Sequence, residues 1–226
     1  MTPVLHVDRL YRFFRAGDEE VLALQGVSFD LHAGETVAVV GPSGSGKSTL
    51  LSCVTGLDEP SGGSVWLDGV RLSHRSEAVR ARMRGAAIGL LAQQRNLVPH
   101  LTVLGNVALA QRLGAGRRRA TVPAAPAARE VLDQVGIGDR WHAYPEQLSG
   151  GEGARAGLAV ALANGPRVIV ADEPTGELDE TTEQVVLDLL RRSAAAGSAV
   201  LVASHSAAVR RSADRELVLE NGALTS

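Results

Sequence analysis

"GPSGSGKST", residues 41–49, gathers three glycines, four hydroxyl side chains and Lys47, the only lysine in the chain. Every other fixed positive side chain is an arginine. The stretch fits the pattern G-x-x-x-x-G-K-[ST], whose chemistry is phosphate binding. Gly41, Gly44 and Gly46 let the backbone turn tightly and present successive N–H groups to anionic oxygens. The apolar run after it, "TLLSCVTG", reads as a helix with its positive end aimed at the same anion. Lys47 adds a compact point charge on a flexible stem, suited to reach between a β- and a γ-phosphate. Arginine's wide planar fork does not fit so narrow a nest, which accounts for the single lysine. Ser48 offers a hydroxyl to Mg²⁺.

A second stretch has related properties. "LSGGE", residues 148–152, places Ser149, Gly150 and Gly151 ahead of a helical run, "ARAGLAVALAN". This is a second helix N-terminus with exposed N–H groups, and therefore a second anion site. Two such helices in one compact chain do not aim at one phosphate. Two copies arranged head to tail bring them together.

The elements that must hold these stretches are legible as hydrophobic patterns. "VLHV" (4–7), "VLALQGVSFDL" (21–31) and "SVWLDG" (64–69) read as antiparallel strands. "TVAVV" (36–40), "RVIVA" (167–171) and "AVLVA" (199–203) are continuous apolar runs, as in a parallel sheet covered on both faces. Residues 95–165 read as mainly helical; within them, "REVLDQVG" sets Val131, Leu132 and Val135 on one stripe that stops at Gly136. After residue 180, "ETTEQVVLDLLRRS" has Val186, Leu189 and Leu190 at helical spacing.

Composition narrows the function classes. The 226 residues suit one large α/β domain. A net charge of −2 gives no basic footprint, so no nucleic-acid partner is expected. The single cysteine, Cys53, excludes an internal disulfide and fits a reducing compartment. No run reaches the roughly 18 apolar residues of a membrane helix, so any action at a membrane is expected to pass through a partner.

A phosphate loop alone serves kinases, GTPases, helicases and transport ATPases. The order and spacing of the remaining motifs choose among them, and the chain resembles the ATP-binding cassette (ABC) ATPase subunits along nearly its whole length. Walker A is "GPSGSGKST", the signature "LSGGE", Walker B "VIVADE" (168–173), the D-loop "GELD" (176–179) and the switch histidine His205 in "VASH"; "LLAQQ" (90–94) places the Q-loop glutamine at Gln93, with Gln94 as the rival. "IGLLAQQRNLVPHLTVLGNV" and "GLDEPSGGSVWLDG" are similar to the macrolide-export, lipoprotein-release and cell-division branch.

The resemblance implies a P-loop (RecA-like) α/β core with an N-terminal antiparallel β subdomain, over 1–92 and 158–226, and an inserted helical subdomain over 93–157 that carries the signature. It implies ATP and Mg²⁺. Gly41, Pro42, Ser43, Gly44, Ser45, Gly46, Lys47, Ser48 and Thr49 would hold the nucleotide from one side. Ser149, Gly150, Gly151, Glu152 and Asp179 would close on it from a second copy in a C2 sandwich. Ser48, Gln93 and Asp172 would hold the metal. Glu173 would orient and polarise the attacking water, with Lys47, Gln93 and His205 at the γ-phosphate. Phe14 would stack on adenine, with Phe13 and Tyr11 as alternatives.

The partner implied is a separately encoded transmembrane permease, which places the chain in the cytoplasm, peripheral at the inner face of the cell membrane. The expected output is export or extraction. The alternatives are regulation of a membrane partner without transport, as in the cell-division type, and a non-transport cassette acting on DNA or the ribosome, which usually has paired cassettes or long coiled-coil insertions. The pattern breaks after the signature: Gly153 and Ala154 stand where the family usually has glutamines, while Arg155 is kept. Ala92 replaces a bulky apolar residue and Gly105 a common glutamate.

Overall fold

Alternation along three strands builds the molecule. In β3 (Thr36–Val40), Val37 and Val39 enter one apolar core while Ala38 and Val40 enter another. In β8 (Ala199–Ala203), Ala199, Leu201 and Ala203 face the first core and Val200 and Val202 the second. In β7 (Val168–Asp172), Val168 and Val170 are divided in the same way from Ile169 and Ala171. A sheet with apolar residues on both faces must be covered on both, and the rest of the chain does so.

The computed structural model describes residues 2–16, 19–92, 96–114, 128–176 and 178–225. The elements so far unlabelled are β1 (Leu5–Ala16), β2 (Glu19–Leu31), α1 (Lys47–Val54), β4 (Gly62–Leu67), β5 (Val70–Arg71), α2 (Glu77–Ala87), β6 (Ile88–Leu91), α3 (Val103–Gly114), α4 (Ala128–Gln134), α5 (Gly150–Leu162), α6 (Glu180–Ala195), α7 (Ala207–Ser212), β9 (Arg215–Glu220) and β10 (Ala223–Thr225). The large sheet runs β10-β9-β3-β8-β7-β6, parallel from β9 to β6, with β10 antiparallel at its edge. A four-stranded antiparallel sheet runs β2-β1-β4-β5. This is the mixed α/β arrangement expected from the sequence, with its antiparallel β part and its helical part.

Helix α1 lies in the first core. Leu50, Leu51, Cys53 and Val54 are buried there among Val37 and Val39 of the large sheet and Leu5, Leu10 and Leu24 of the small one. Eight residues are too few for a stable helix in isolation. Burial at about 1.5–3 kcal/mol per large apolar side chain fixes both its presence and its direction. The second core holds α3, α4, α5 and α6 against the opposite face of the sheet.

Some elements differ from those the sequence predicts. Strand β1 extends through "LYRFF" well beyond residues 4–7. Helix α2 and strand β6 form where the hydrophobic pattern predicts neither. Helix α2 has only Val79 and Met83 as large apolar residues, with Met83 and Ala87 partly buried against the first core, and β6 is only four residues long.

Gly153 lies in the first turns of α5, and a Cβ added there meets no atom within 4 Å. Gly153→Ala is therefore expected to raise the unfolding free energy by about 0.5–1 kcal/mol, through helix propensity and a less flexible unfolded chain. Urea midpoints of the two proteins measure this; a lower midpoint for the variant contradicts it.

Candidate active site

Three neighbouring parallel strands end together. Val39 of β3 pairs with Ala203 of β8, and Ala203 with Asp172 of β7. The segments after these strands therefore emerge along one edge: the phosphate loop after β3, Glu173 after β7, Ser204 and His205 after β8. In open α/β sheets this C-terminal edge is where ligands bind.

The loop's shape is forced at its two ends. A Cβ on Gly41 would collide with the Leu219 carbonyl oxygen, and one on Gly46 would come 2.5 Å from that of Ala23. Both have positive φ, 156° and 104°. Gly46 caps α1 without a side-chain hydrogen bond, so the first-turn amides of α1 have no partner from that residue. Lys47 Nζ donates to the carbonyl oxygens of Gly41 (2.9 Å) and Pro42 (3.0 Å). Among the described ion pairs it takes part in none, so its charge lies over the loop against neutral acceptors. Ser45 is buried and its Oγ has no hydrogen-bond partner. A buried hydroxyl without a partner among the described residues, and helix amides without a side-chain cap, are what an anion seated on this loop would satisfy.

Asp172 ends β7 half-buried. Burial pushes its carboxyl above the ordinary carboxylate range, and the neighbouring Glu173 charge adds to that. The Ser48 hydroxyl, hydrogen-bonded to it, and the Lys47 ammonium pull the other way. Glu173 comes next in a left-handed backbone conformation, φ 46°, and its amide donates to the Ala203 carbonyl at 2.9 Å. Its carboxylate is clamped at both oxygens: the Ser204 hydroxyl donates to Oε2 at 2.9 Å, and His205 Nδ1 lies 2.9 Å from Oε1. The Glu173 side chain is only 14% exposed and that of His205 is 76% exposed, so the carboxylate is held inside while the imidazole reaches outward.

At the signature, Ser149 caps α5 by accepting from the Glu152 amide (3.3 Å), and Glu152 returns a carboxylate to the Ser149 amide (2.9 Å). This reciprocal pair is a capping box. The Ser149 amide, together with Arg140, whose Nε donates to Glu152 at 2.7 Å, holds the Glu152 carboxyl down at about 2. Asp179 caps α6, accepting from the Thr182 amide (3.0 Å) and hydroxyl (2.8 Å), which holds its carboxyl below the usual range. A Cβ on Gly151 would lie 2.7 Å from Thr182 Cγ2, so the two capped helix starts pack together.

Ser149 and Gly150 are exposed. A cleft of about 410 Å³ beside them is lined by Gly150, Gly153, Ala154, Leu97, Glu173 and His205, among others. Among the described residues no member of 41–49 lines it.

The remaining predicted residues fall as follows. Gln93 and its rival Gln94 lie outside the described residues. Tyr11, Phe13 and Phe14 are all on β1 and about 40% exposed. The Arg12 guanidinium sits 4.5 Å from the Phe14 ring centre and is itself held bidentately by Asp58. Sequence reasoning does not single out Ser204, Arg140, Thr182 or Arg12. Ser204 can be found as the neighbour of His205, and Thr182 as the residue three after the Asp179 cap; Arg140 and Arg12 are joined to the site only by tertiary contacts.

A phosphate loop after β3 and an Asp–Glu pair after β7, two parallel strands with β8 between them, define a P-loop nucleotide-binding protein. The family model for ABC transporters matches residues 24–176. An uncharacterized ABC transporter ATP-binding protein of Mycobacterium tuberculosis is 41% identical over 224 residues, covering 98% of this chain and 89% of the relative. The lipoprotein-releasing system ATP-binding protein LolD of Pseudomonas syringae is 43% identical, covering 98% and 96%. The macrolide export ATP-binding/permease protein MacB of Shigella flexneri is 38% identical, covering 98% of this chain and 34% of that one. Among solved structures, the dimeric bacterial cassette MJ0796 superposes with a TM-score of 0.88 at 32% identity, covering 98% and 97%. The same cassette is known in a post-hydrolysis state bound to ADP and Pi. The chain belongs to the ABC transporter family, as an ATP-binding subunit whose characteristic activity is ATP hydrolysis.

The raised Asp172 carboxyl gives a pH signature. A folded-state value above the unfolded one means that stability is fully present below the ordinary Asp range and is lost as pH rises through the folded value. Asp172→Asn, which cannot ionise, is expected to unfold at higher urea than the unmodified protein at neutral pH without nucleotide. The difference should close below the ordinary Asp value of about 3.9. A difference that stays constant with pH contradicts this.

Proposed function

We propose that two copies of the chain close around ATP and, by closing and reopening, drive a separately encoded membrane permease. Each nucleotide lies between residues 41–49 of one copy and Ser149, Gly150 and Gly151 of the other, with Glu152 and Asp179 holding that second tip in shape. The observation that carries this reading is the exposed N-terminus of α5, held in shape by its capping box, beside a cleft that no residue of 41–49 lines. The dimeric form of MJ0796 supports it. Matches to LolD along almost its full length support a permease in a separate chain. Among the described residues no helix is long and apolar enough to cross a membrane, consistent with a peripheral position on the cytoplasmic face. The LolD and MacB relatives support extraction or export as the output. On this reading residues 93–157 form the subdomain that faces the permease and carries the signature.

The chemistry is built from the site's own groups. Loop amides and the end of α1 receive the phosphates. Lys47 exchanges the Gly41 and Pro42 carbonyls for the β- and γ-phosphate oxygens. Ser48 and Asp172 are the residues that would hold Mg²⁺: a half-buried carboxylate, costly to ionise alone and already linked to the Ser48 hydroxyl, fits a hard cation. Gln93, which lies outside the described residues, is the third residue proposed for the ion. When bound, the ion neutralises charge on the phosphate oxygens.

Glu173 accepts a hydrogen bond from the attacking water and aligns it with the γ-phosphorus. The water oxygen bonds to phosphorus as the bond to the ADP oxygen breaks. His205, exposed and turned outward, donates to the γ-phosphate. Phe14 stacks on adenine, its ring already backed by Arg12.

Glu173→Gln keeps the side chain's size and removes its basicity. The variant is expected to bind ATP as tightly as the unmodified protein while steady-state hydrolysis falls by about 10²-fold or more. Nucleotide-binding titration and phosphate release measure the two. Undiminished hydrolysis refutes the role given to Glu173.

A further inference from the structure

Glu183 is in the first turn of α6, outside every motif that marks the family, yet its carboxylate joins the two segments that hold the reacting groups. Its Oε1 accepts from the Thr175 hydroxyl at 2.9 Å and from the Ser206 hydroxyl at 2.7 Å. Thr175 is buried and lies two residues after Glu173. Ser206 is the residue after His205 and caps α7, its Oγ accepting from the Ala208 amide at 3.1 Å. The Ser206 amide in turn donates to Ser204 Oγ at 3.1 Å, and the Ser204 hydroxyl donates to Glu173.

Every proton in this series of bonds has a fixed direction. A serine hydroxyl has one proton to give. Ser206 gives its proton to Glu183, so its lone pairs face the Ala208 amide. Ser204 gives its proton to Glu173, so its lone pairs face the Ser206 amide. An acceptor-only group at position 183 sets the first direction, and the backbone carries the second. The order of groups is Thr175, Glu183, Ser206, Ser204, Glu173 and His205. The series runs between the ends of β7 and β8, and the backbone from Glu173 to Thr175 joins its first and fifth members.

We propose that Glu183 is a positioning residue for ATP hydrolysis: by fastening Thr175 to Ser206 it holds Ser204 and His205 on the Glu173 carboxylate. The inference rests on the roles given above to Glu173 and His205. Glu183 acts only through its neighbours Thr175 and Ser206.

Two measurements on the full chain test it. In the first, without nucleotide, Glu183→Ala should speed amide exchange over residues 204–208 by about 10-fold or more and leave the rest of α6 unchanged. In the second, with ATP and Mg²⁺, the same variant should lower kcat by about 10-fold or more, with KM within about two-fold. Glu183→Gln keeps a carbonyl oxygen that can accept both hydroxyls and should recover most of kcat. Ser206→Ala approaches the same link from the other side, and the double variant should be no worse than the poorer single one. Full kcat in Glu183→Ala, a loss that Gln does not recover, or additive effects of the two changes would overturn the proposal. An unmodified chain without ATP turnover would instead overturn the function proposed above, and the exchange measurement would then decide this one.

Discussion

A short helix buried between two sheets, with its uncapped start at the phosphate loop, is the constraint on which the proposed nucleotide site depends. Helix α1 is short, begins without a side-chain cap, and starts on a glycine that tolerates no Cβ. None of that favours a stable helix end in water. What holds α1 is its position between two sheets, with Leu50, Leu51 and Val54 fully inside. The four-stranded sheet is therefore as much a part of the phosphate site as the loop itself, because it covers the helix that aims the amides. Lys47 shows the consequence: with no carboxylate paired to it among the described contacts, its ammonium rests on two loop carbonyls.

The second constraint is register. Asp172, Ala203 and Val39 lie side by side because β7, β8 and β3 are paired in parallel with matched ends. A one-residue slip would turn Asp172 to the opposite face and exchange the residues of the two cores. The division of Val168 and Val170 from Ile169 and Ala171 between those cores makes such a slip costly. Packing of the sheet thus places a half-buried acid beside the phosphate loop. Immediately after it the backbone leaves the extended form at Glu173, whose positive φ accompanies the turn of its carboxylate toward Ser204 and His205.

Much of this is readable from residue order. The runs at 36–40, 167–171 and 199–203 announce doubly covered parallel strands because alternation is absent when both faces are buried. The phosphate loop is legible because glycine spacing and a lone lysine have a direct chemical meaning. Strand β6 and helix α2 are not, since β6 is brief and α2 meets the core through little more than Met83 and Ala87. The clamp on Glu173 is half legible: His205 comes after a parallel strand, but Ser204 is a small buried residue with no pattern of its own. Arg140 reaches Glu152 from another turn of chain, and nothing in its neighbourhood in sequence indicates that.

The central claim is that one triphosphate is held by two chains. Light scattering at high concentration, on Glu173→Gln with ATP and Mg²⁺, tests it most directly, with Ser149→Arg added in a second sample. A particle of twice the 23.6 kDa chain mass, reverting to one chain when the Ser149→Arg substitution blocks the α5 tip while ATP still binds, is the predicted result. A single-chain particle in both samples at saturating ATP would contradict it.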